Sequence, residues 1–224
     1  MARVCLFDVN ETLLDLGALD PHFERAFGDA GLRRVWFLQL LQSALVATVT
    51  GAYSDFGQVG EAALEMVAER QGVQLTDEDR ELILGGMREL PPHPEVAESL
   101  ERLRDAGLRL ATLTNSTQQV AEVQMDSSGL RGYFEQILSA DMVRRLKPAP
   151  EPYRMAAESL EVEVQSVRLI AAHAWDVAGS LRAGCAAAFV ARPGMVLDPL
   201  VERPDVVGAD RSEVANRILE VEAG

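Results

Sequence analysis

The chain has 224 residues, 48% of them hydrophobic, which suits one α/β domain carrying a modest insertion. With 35 acidic against 21 basic residues its formal charge is −14, which argues against nucleic acid or an anionic membrane as partner and requires any anionic substrate to be attracted locally. Its two cysteines, Cys5 and Cys185, form no CxxC, and no apolar run suits a secretory core or a membrane span, so a reduced, cytoplasmic protein is expected.

Val4-Cys5-Leu6-Phe7 has the length of a buried parallel strand, and the chain turns polar at Asp8. Asp8 therefore stands at a strand's carboxyl end, where open α/β sheets bind ligands, with the Thr12 hydroxyl four residues on. It is either a nucleophile or a turn cap. Residues 16–90 then show helical periodicity without a strand and read as a helical insertion, leaving 1–15 and 91–224 as the sheet domain. Within the insertion, 36–49 is apolar nearly all round and is expected to be covered on more than one side, by the sheet domain or by a second copy in a homodimer. Pro91-Pro92-His93-Pro94 makes a stiff return.

A helix is expected over 94–106, with Val96, Leu100 and Leu103 inward, followed by a strand over 108–113 that ends in Thr114-Asn115-Ser116. Ser116-Thr117-Gln118-Gln119 reads as a capping box. Further strands are expected at 136–139, 167–172 and 187–191, and a last helix capped at Asp210 that turns Val214, Ile218 and Val221 inward. This alternation predicts an α/β fold, a Rossmann-like parallel sheet with helices on both faces. Asp8 with Thr12, Thr114 with Asn115, Lys147, and His173-Ala174-Trp175-Asp176 all fall at strand ends or in the loops that follow, and so can converge on one edge. Singly, each has a modest alternative as a helix cap, a loop cation or a satisfied histidine.

In order and spacing these residues resemble the haloacid dehalogenase superfamily over nearly the whole chain. The resemblance implies a Rossmann-like hydrolase with a helical cap after the first strand. It places Asp8 on the nucleophile, Thr114 on the second-motif Ser/Thr, Lys147 on the third-motif lysine and Asp176 on the acidic fourth motif. Most members are Mg-dependent phosphatases, in which a second aspartate two residues after the nucleophile protonates the departing alkoxide. Asn10 stands there in this chain and cannot do so, whereas a halide leaves without a proton. His173 beside Asp176 also makes a thin cage for a hard cation.

Ala172-His173-Ala174-Trp175-Asp176 and Lys147-Pro148-x-Pro150-x-x-Tyr153 resemble the L-2-haloacid dehalogenase branch. That resemblance implies hydrolysis of short 2-haloalkanoic acids with no metal and no cofactor. Asp8 would displace the halide, Asp176 would act as general base, and Lys147 would keep both carboxylates ionised. Thr12 and Tyr153 would orient the site, and backbone N–H groups near Asn115 and Ser116 would take the substrate carboxylate. The halide cradle implied is Asn115, Trp175 and a cap arginine, first Arg34 and then Arg33, with His173 in place of the branch's usual asparagine and Asn10 in place of an aromatic. Two alternatives stand beside this one: a Mg-dependent phosphatase acting on a small phosphorylated metabolite, and a catalytically idle member serving as a binding module.

Overall fold

The structure is a computed structural model and describes residues 4–223. Strand β1 (Val4–Phe7) is followed by four helices, α1 (Asp20–Phe27), α2 (Leu32–Thr50), α3 (Phe56–Gln71) and α4 (Asp77–Gly86). The chain then alternates: α5 (Val96–Asp105), β2 (Arg109–Thr114), α6 (Gln118–Ser127), β3 (Gln136–Ser139), α7 (Pro150–Ser159), β4 (Val167–Ala171), α8 (Ala174–Ala183) and β5 (Ala186–Val190). It finishes with β6 (Val206–Gly208) and α9 (Arg211–Ala223). The strands form one sheet in the order β3-β2-β1-β4-β5-β6, and every neighbouring pair is parallel.

Alternation along each strand builds two cores. Cys5 and Phe7 of β1 pack with α5, α6, α9 and the helical insertion, while Val4 and Leu6 pack with α7 and α8 on the opposite face. Both faces are buried, so β1 reads as a continuous apolar run. The reversal of strand order at β1 and β4 leaves a crevice at their carboxyl ends, where such sheets present ligands to their loops.

The sheet and the two-faced layering match the expected fold, with differences in detail. Strand β6 was not foreseen, because Val206–Gly208 is too short to make a run; Arg168 in β4 holds the segment before it through Asp205 at 2.5 and 2.9 Å. Helix α6 is capped by Thr117, whose hydroxyl accepts from Val120 N, so the cap lies one residue later than expected and Ser116 is free for other bonds. Asp210 caps α9 as expected, and Val214 and Ile218 are buried, but Val221 is 44% exposed.

Helix α2 is buried by this chain along one face. Trp36 and Leu40 are buried, and Trp36 donates from Nε1 to Gly60 O at 2.9 Å. The opposite face, with Val35, Leu38, Val46 and Val49, is exposed, so this chain covers the helix on one side. Among the described residues no helix is long and apolar enough to cross a membrane. Cys5 and Cys185 are free and buried, and burial pushes both thiols up to about 12.

Candidate active site

Asp8 follows β1 directly, its N–H anchored on Ile170 O of β4 at 3.1 Å. The chain then turns sharply through Glu11, whose φ of 61° lies in the left-handed region that costs a residue with a side chain. Among the bonds that hold this turn are Glu11 N to Leu14 O at 2.8 Å, Leu13 N to Val9 O at 2.8 Å, His93 Nε2 with Glu11 O at 3.3 Å, and Arg192 to Thr12 O at 2.9 Å. The turn delivers the Thr12 hydroxyl to Asp8 Oδ2 at 2.6 Å, while that same hydroxyl accepts from Ala172 N at 3.0 Å.

Lys147 enters between β3 and α7 and is 2% exposed. Its Nζ donates to Asp8 Oδ1 at 2.8 Å, Asp176 Oδ2 at 2.6 Å and Leu113 O at 2.9 Å, using all three protons. Asn115 fixes the lysine's backbone from both sides, accepting from Lys147 N at 2.8 Å and donating to Lys147 O at 3.3 Å. Gly179 of α8 lies under the same loop. A Cβ at that position would stand 2.5 Å from Pro148 Cβ and 2.9 Å from Pro148 Cα, so only glycine allows this approach.

These contacts set the charges. Burial alone would push Asp8 up, but the Lys147 ammonium and the Thr12 hydroxyl outweigh it and hold the Asp8 carboxyl below its ordinary range. Asp176 is fully buried; desolvation, reinforced by the Asp8 charge, outweighs Lys147 and Tyr153 and raises its proton affinity. Burial opposes the charge on Lys147, yet the two carboxylates together raise its pKa. The cluster is thus a buried cation between two anions of unequal proton affinity.

A cavity of about 10 Å³ lies over this cluster, lined by Asp8, Asn10, Thr114, Asn115, Lys147, His173 and Trp175 at the sheet edge, with Phe37 and Leu41 of α2 and Phe56 of α3. That volume admits roughly one water molecule. Of two buried nitrogens at its lining residues, Trp175 Nε1 has no hydrogen-bond partner and His173 Nε2 has only the Glu11 carboxylate at 3.5 Å; the two rings stack at 5.4 Å. Unpaired buried donors are costly and point to an acceptor that a ligand would bring.

Most of the residues singled out from the sequence come together here; Tyr153 and Ser116 are used differently from expectation, and Arg34 lies elsewhere. Tyr153 is fully buried and donates to Asp176 Oδ1 at 2.5 Å, so it supports that carboxylate from below and does not line the cavity. The N–H of Ser116 is bonded to Thr114 Oγ1 at 3.2 Å, and its hydroxyl accepts from Asn10, which leaves it outside the cavity lining. Arg34 is exposed and does not reach the cluster. The buried stripe of α2 runs through 33, 36, 37, 40 and 44, and 34 falls beside it. Arg33, on the stripe, pairs with Asp20 at 2.5 Å and Glu11 at 3.5 Å, and Glu11 in turn faces His173 Nε2 at 3.5 Å. The side chains of α2 that line the cavity are Phe37 and Leu41, the Phe37 ring lying 5.9 Å from that of His173. Phe37, Leu41, Phe56, Glu11 and Arg192 were not foreseen; the 3.6-residue period of α2 carried the signal for Phe37 and Arg33.

A model of the haloacid dehalogenase-like hydrolase family matches residues 2–184. The chain belongs to that family. It is 28% identical over 201 residues to an (S)-2-haloacid dehalogenase of Pseudomonas sp. (strain YL), a match covering 89% of this chain and 87% of the other. It is 27% identical to haloacetate dehalogenase H-2 of Moraxella sp. (strain B), covering 89% and 90%. Its fold superposes on that of L-2-haloacid dehalogenase from Xanthobacter autotrophicus with a TM-score of 0.90 at 25% identity, covering 97% of this chain and 98% of that one.

The residues present do not fit the divalent cation used by phosphatases of this family. Lys147 Nζ occupies the position between Asp8 and Asp176, and the second oxygen of Asp176 is taken by Tyr153. The side chain two residues after Asp8 is an amide, its Oδ1 accepting from Gln124 at 3.0 Å and its Nδ2 donating to Ser116 at 3.4 Å. Among the described residues no group of three or more His, Cys, Asp or Glu is arranged to hold a metal.

Proposed function

We propose that this protein hydrolyses the carbon–halogen bond of 2-halo acids through an ester on Asp8. The observation that carries the reading is Lys147 Nζ, at 2.8 Å from one carboxylate and 2.6 Å from the other, with an amide at position 10. An ionised carboxylate faces the cavity where a phosphatase needs a cation and a leaving-group acid. Oxygen of Asp8 attacks C2 from the side opposite the halogen, the carbon–halogen bond breaks, and the halide departs with its electron pair. Water then attacks the Asp8 carboxyl carbon, Asp176 takes its proton and returns it to the departing alkoxide, and a 2-hydroxy acid of inverted configuration leaves.

The other residues fit as follows. Thr12 orients Asp8, Tyr153 and Lys147 orient Asp176, and Asn115 with Gly179 fixes the loop that carries Lys147. The unpaired N–H of Trp175 and the ring of His173 are the donors available to the leaving halide, with Thr114 and Asn115 beside the substrate carboxylate. Helices α1–α4, within 16–90, act as a cap whose Phe37, Leu41 and Phe56 exclude water from the ester. A cavity of about 10 Å³ cannot admit a halo acid, so this arrangement is the closed state and the cap opens to load substrate. The exposed apolar face of α2 supports a homodimer, and the two free, buried thiols support residence in the cytoplasm.

A panel of 2-chloro and 2-bromo acids and phosphomonoesters, each assayed with and without chelator, tests the reading. Halide release indifferent to chelator is expected. Mg-dependent phosphate release with no halide would overturn it.

A further inference from the structure

Beside the cavity over Asp8 lies a second and much larger space of about 330 Å³, bounded by α2, α3 and α4 of the insertion and by the start of α6. That volume is within the range of small-molecule sites. The two spaces lie side by side along α2: Trp36 and Leu40 face the chamber, while the next residues, Phe37 and Leu41, face the cavity. Phe56, the first residue of α3, lines both. At the sheet domain the division falls between Asn115, in the cavity lining, and Ser116, in the chamber lining.

One wall of the chamber is open at a glycine of α4. Gly57, Gly60 and Gly85 line it, and a Cβ at Gly85 would meet nothing within 4 Å. Its remaining walls are largely apolar, with Glu81 and Arg88 the two charged residues among them, both exposed.

We propose that this chamber receives the C2 substituent of the substrate, so that the preferred substrates are 2-halo acids bearing a long alkyl or an aryl group. The inference rests on the dehalogenase reading above and adds the substrate class. The cavity over Asp8 has no room for an alkyl or aryl group, and a large apolar volume adjoins it across a shared lining residue, the ring of Phe56. Swinging that ring joins the spaces and lets a chain at C2 pass into the chamber while C2 itself stays over Asp8.

The test is kcat/KM for halide release from 2-bromopropionate, 2-bromobutanoate, 2-bromohexanoate and 2-bromooctanoate by the wild-type protein and by Gly85→Leu. The wild type is expected to gain about fourfold per added methylene until the chamber is filled, as expected for burial of an alkyl chain. Gly85→Leu, which fills open space and improves helix propensity, should cut the ratio of long-chain to short-chain kcat/KM at least tenfold. A wild-type rate that falls with chain length would overturn the proposal. So would a Gly85→Leu loss equal for every acid, the mark of a simple entrance. If no halo acid releases halide, the dehalogenase reading falls, and hexanoate then judges the chamber separately. Protection of the wild type but not of Gly85→Leu against thermal unfolding supports it, and equal or no protection ends it.

Discussion

The hydroxyl of Tyr153 donates to Asp176 Oδ1 at 2.5 Å from beneath the sheet edge, where both side chains are fully buried. In the proposed reaction this bond matters after the halide has gone, when Asp176 must accept a proton from water. Tyr153→Phe removes a donor that lowers the proton affinity of Asp176. Ester breakdown is expected to slow by about 10- to 100-fold, while the first-turnover burst of halide keeps its rate. Stopped-flow halide detection checks this. A burst slowed in step with kcat would show that Tyr153 serves the first step instead.

The unequal proton affinities of the two carboxylates predict unequal responses to acid. Asp8 is held below the ordinary carboxylate range and stays ionised as pH falls from neutrality, whereas Asp176 is raised and takes up a proton earlier. Single-turnover ester formation should therefore stay level while ester breakdown falls, with an apparent pKa above the ordinary aspartate value. Lys147 is raised, so its charge persists and no alkaline loss from its deprotonation is expected below its ordinary value of 10.5. Parallel acid limbs for both steps would contradict the assignment.

Replacing Lys147 by Met leaves two buried carboxylates facing each other without a cation. Removing one partner of a buried charge network costs about 3–5 kcal/mol at neutral pH. Halide release should fall by about 10²- to 10³-fold. One carboxylate in the variant gains a raised folded-state pKa, so the stability lost at neutral pH returns as pH falls and the proton is taken up. The difference in melting temperature between wild type and Lys147→Met is therefore expected to narrow toward acid pH. A difference constant across pH would show that the lysine acts by packing alone.

Arg33 and Arg34 separate anchoring from decoration. Arg33 is nearly buried and links α2 to the Glu11 turn, while Arg34 is exposed. Arg33→Ala is expected to lower stability by about 1 kcal/mol, since Asp20 is half in solvent, and to lower halide release through loss of the closed cap. Arg34→Ala should leave both within error. The reverse order in paired melting and halide assays would contradict the packing of α2.

The strand ends carrying Asp8 and Thr114, and the start of α8 that carries Asp176 after β4, were legible because an apolar run that stops at a polar residue fixes both the strand and the edge at which it ends. Lys147 was legible only through its resemblance, since nothing local distinguishes it from a loop cation. The direction in which each polar group is spent was not legible. Ser116 gave up its expected capping role because Thr117, one residue later, serves as the cap. Tyr153 turned inward because α7 buries its ring against α8, where Gly179 leaves the room. That Phe37 and not Arg34 faces the cavity follows from the phase of α2, which its 3.6-residue period carries but the apolar run over 36–49 blurs. Strand β6 depends on Arg168 and Asp205, two charges 37 residues apart whose pairing no local pattern announces.

The most direct test of an ester on Asp8 is a single turnover in heavy-oxygen water with enzyme in excess over 2-bromopropionate, followed by mass spectrometry of the Asp8 peptide and of the product. The account predicts one heavy oxygen in Asp8 and none in the 2-hydroxy acid. Heavy oxygen in the product with an unlabelled Asp8 would contradict it.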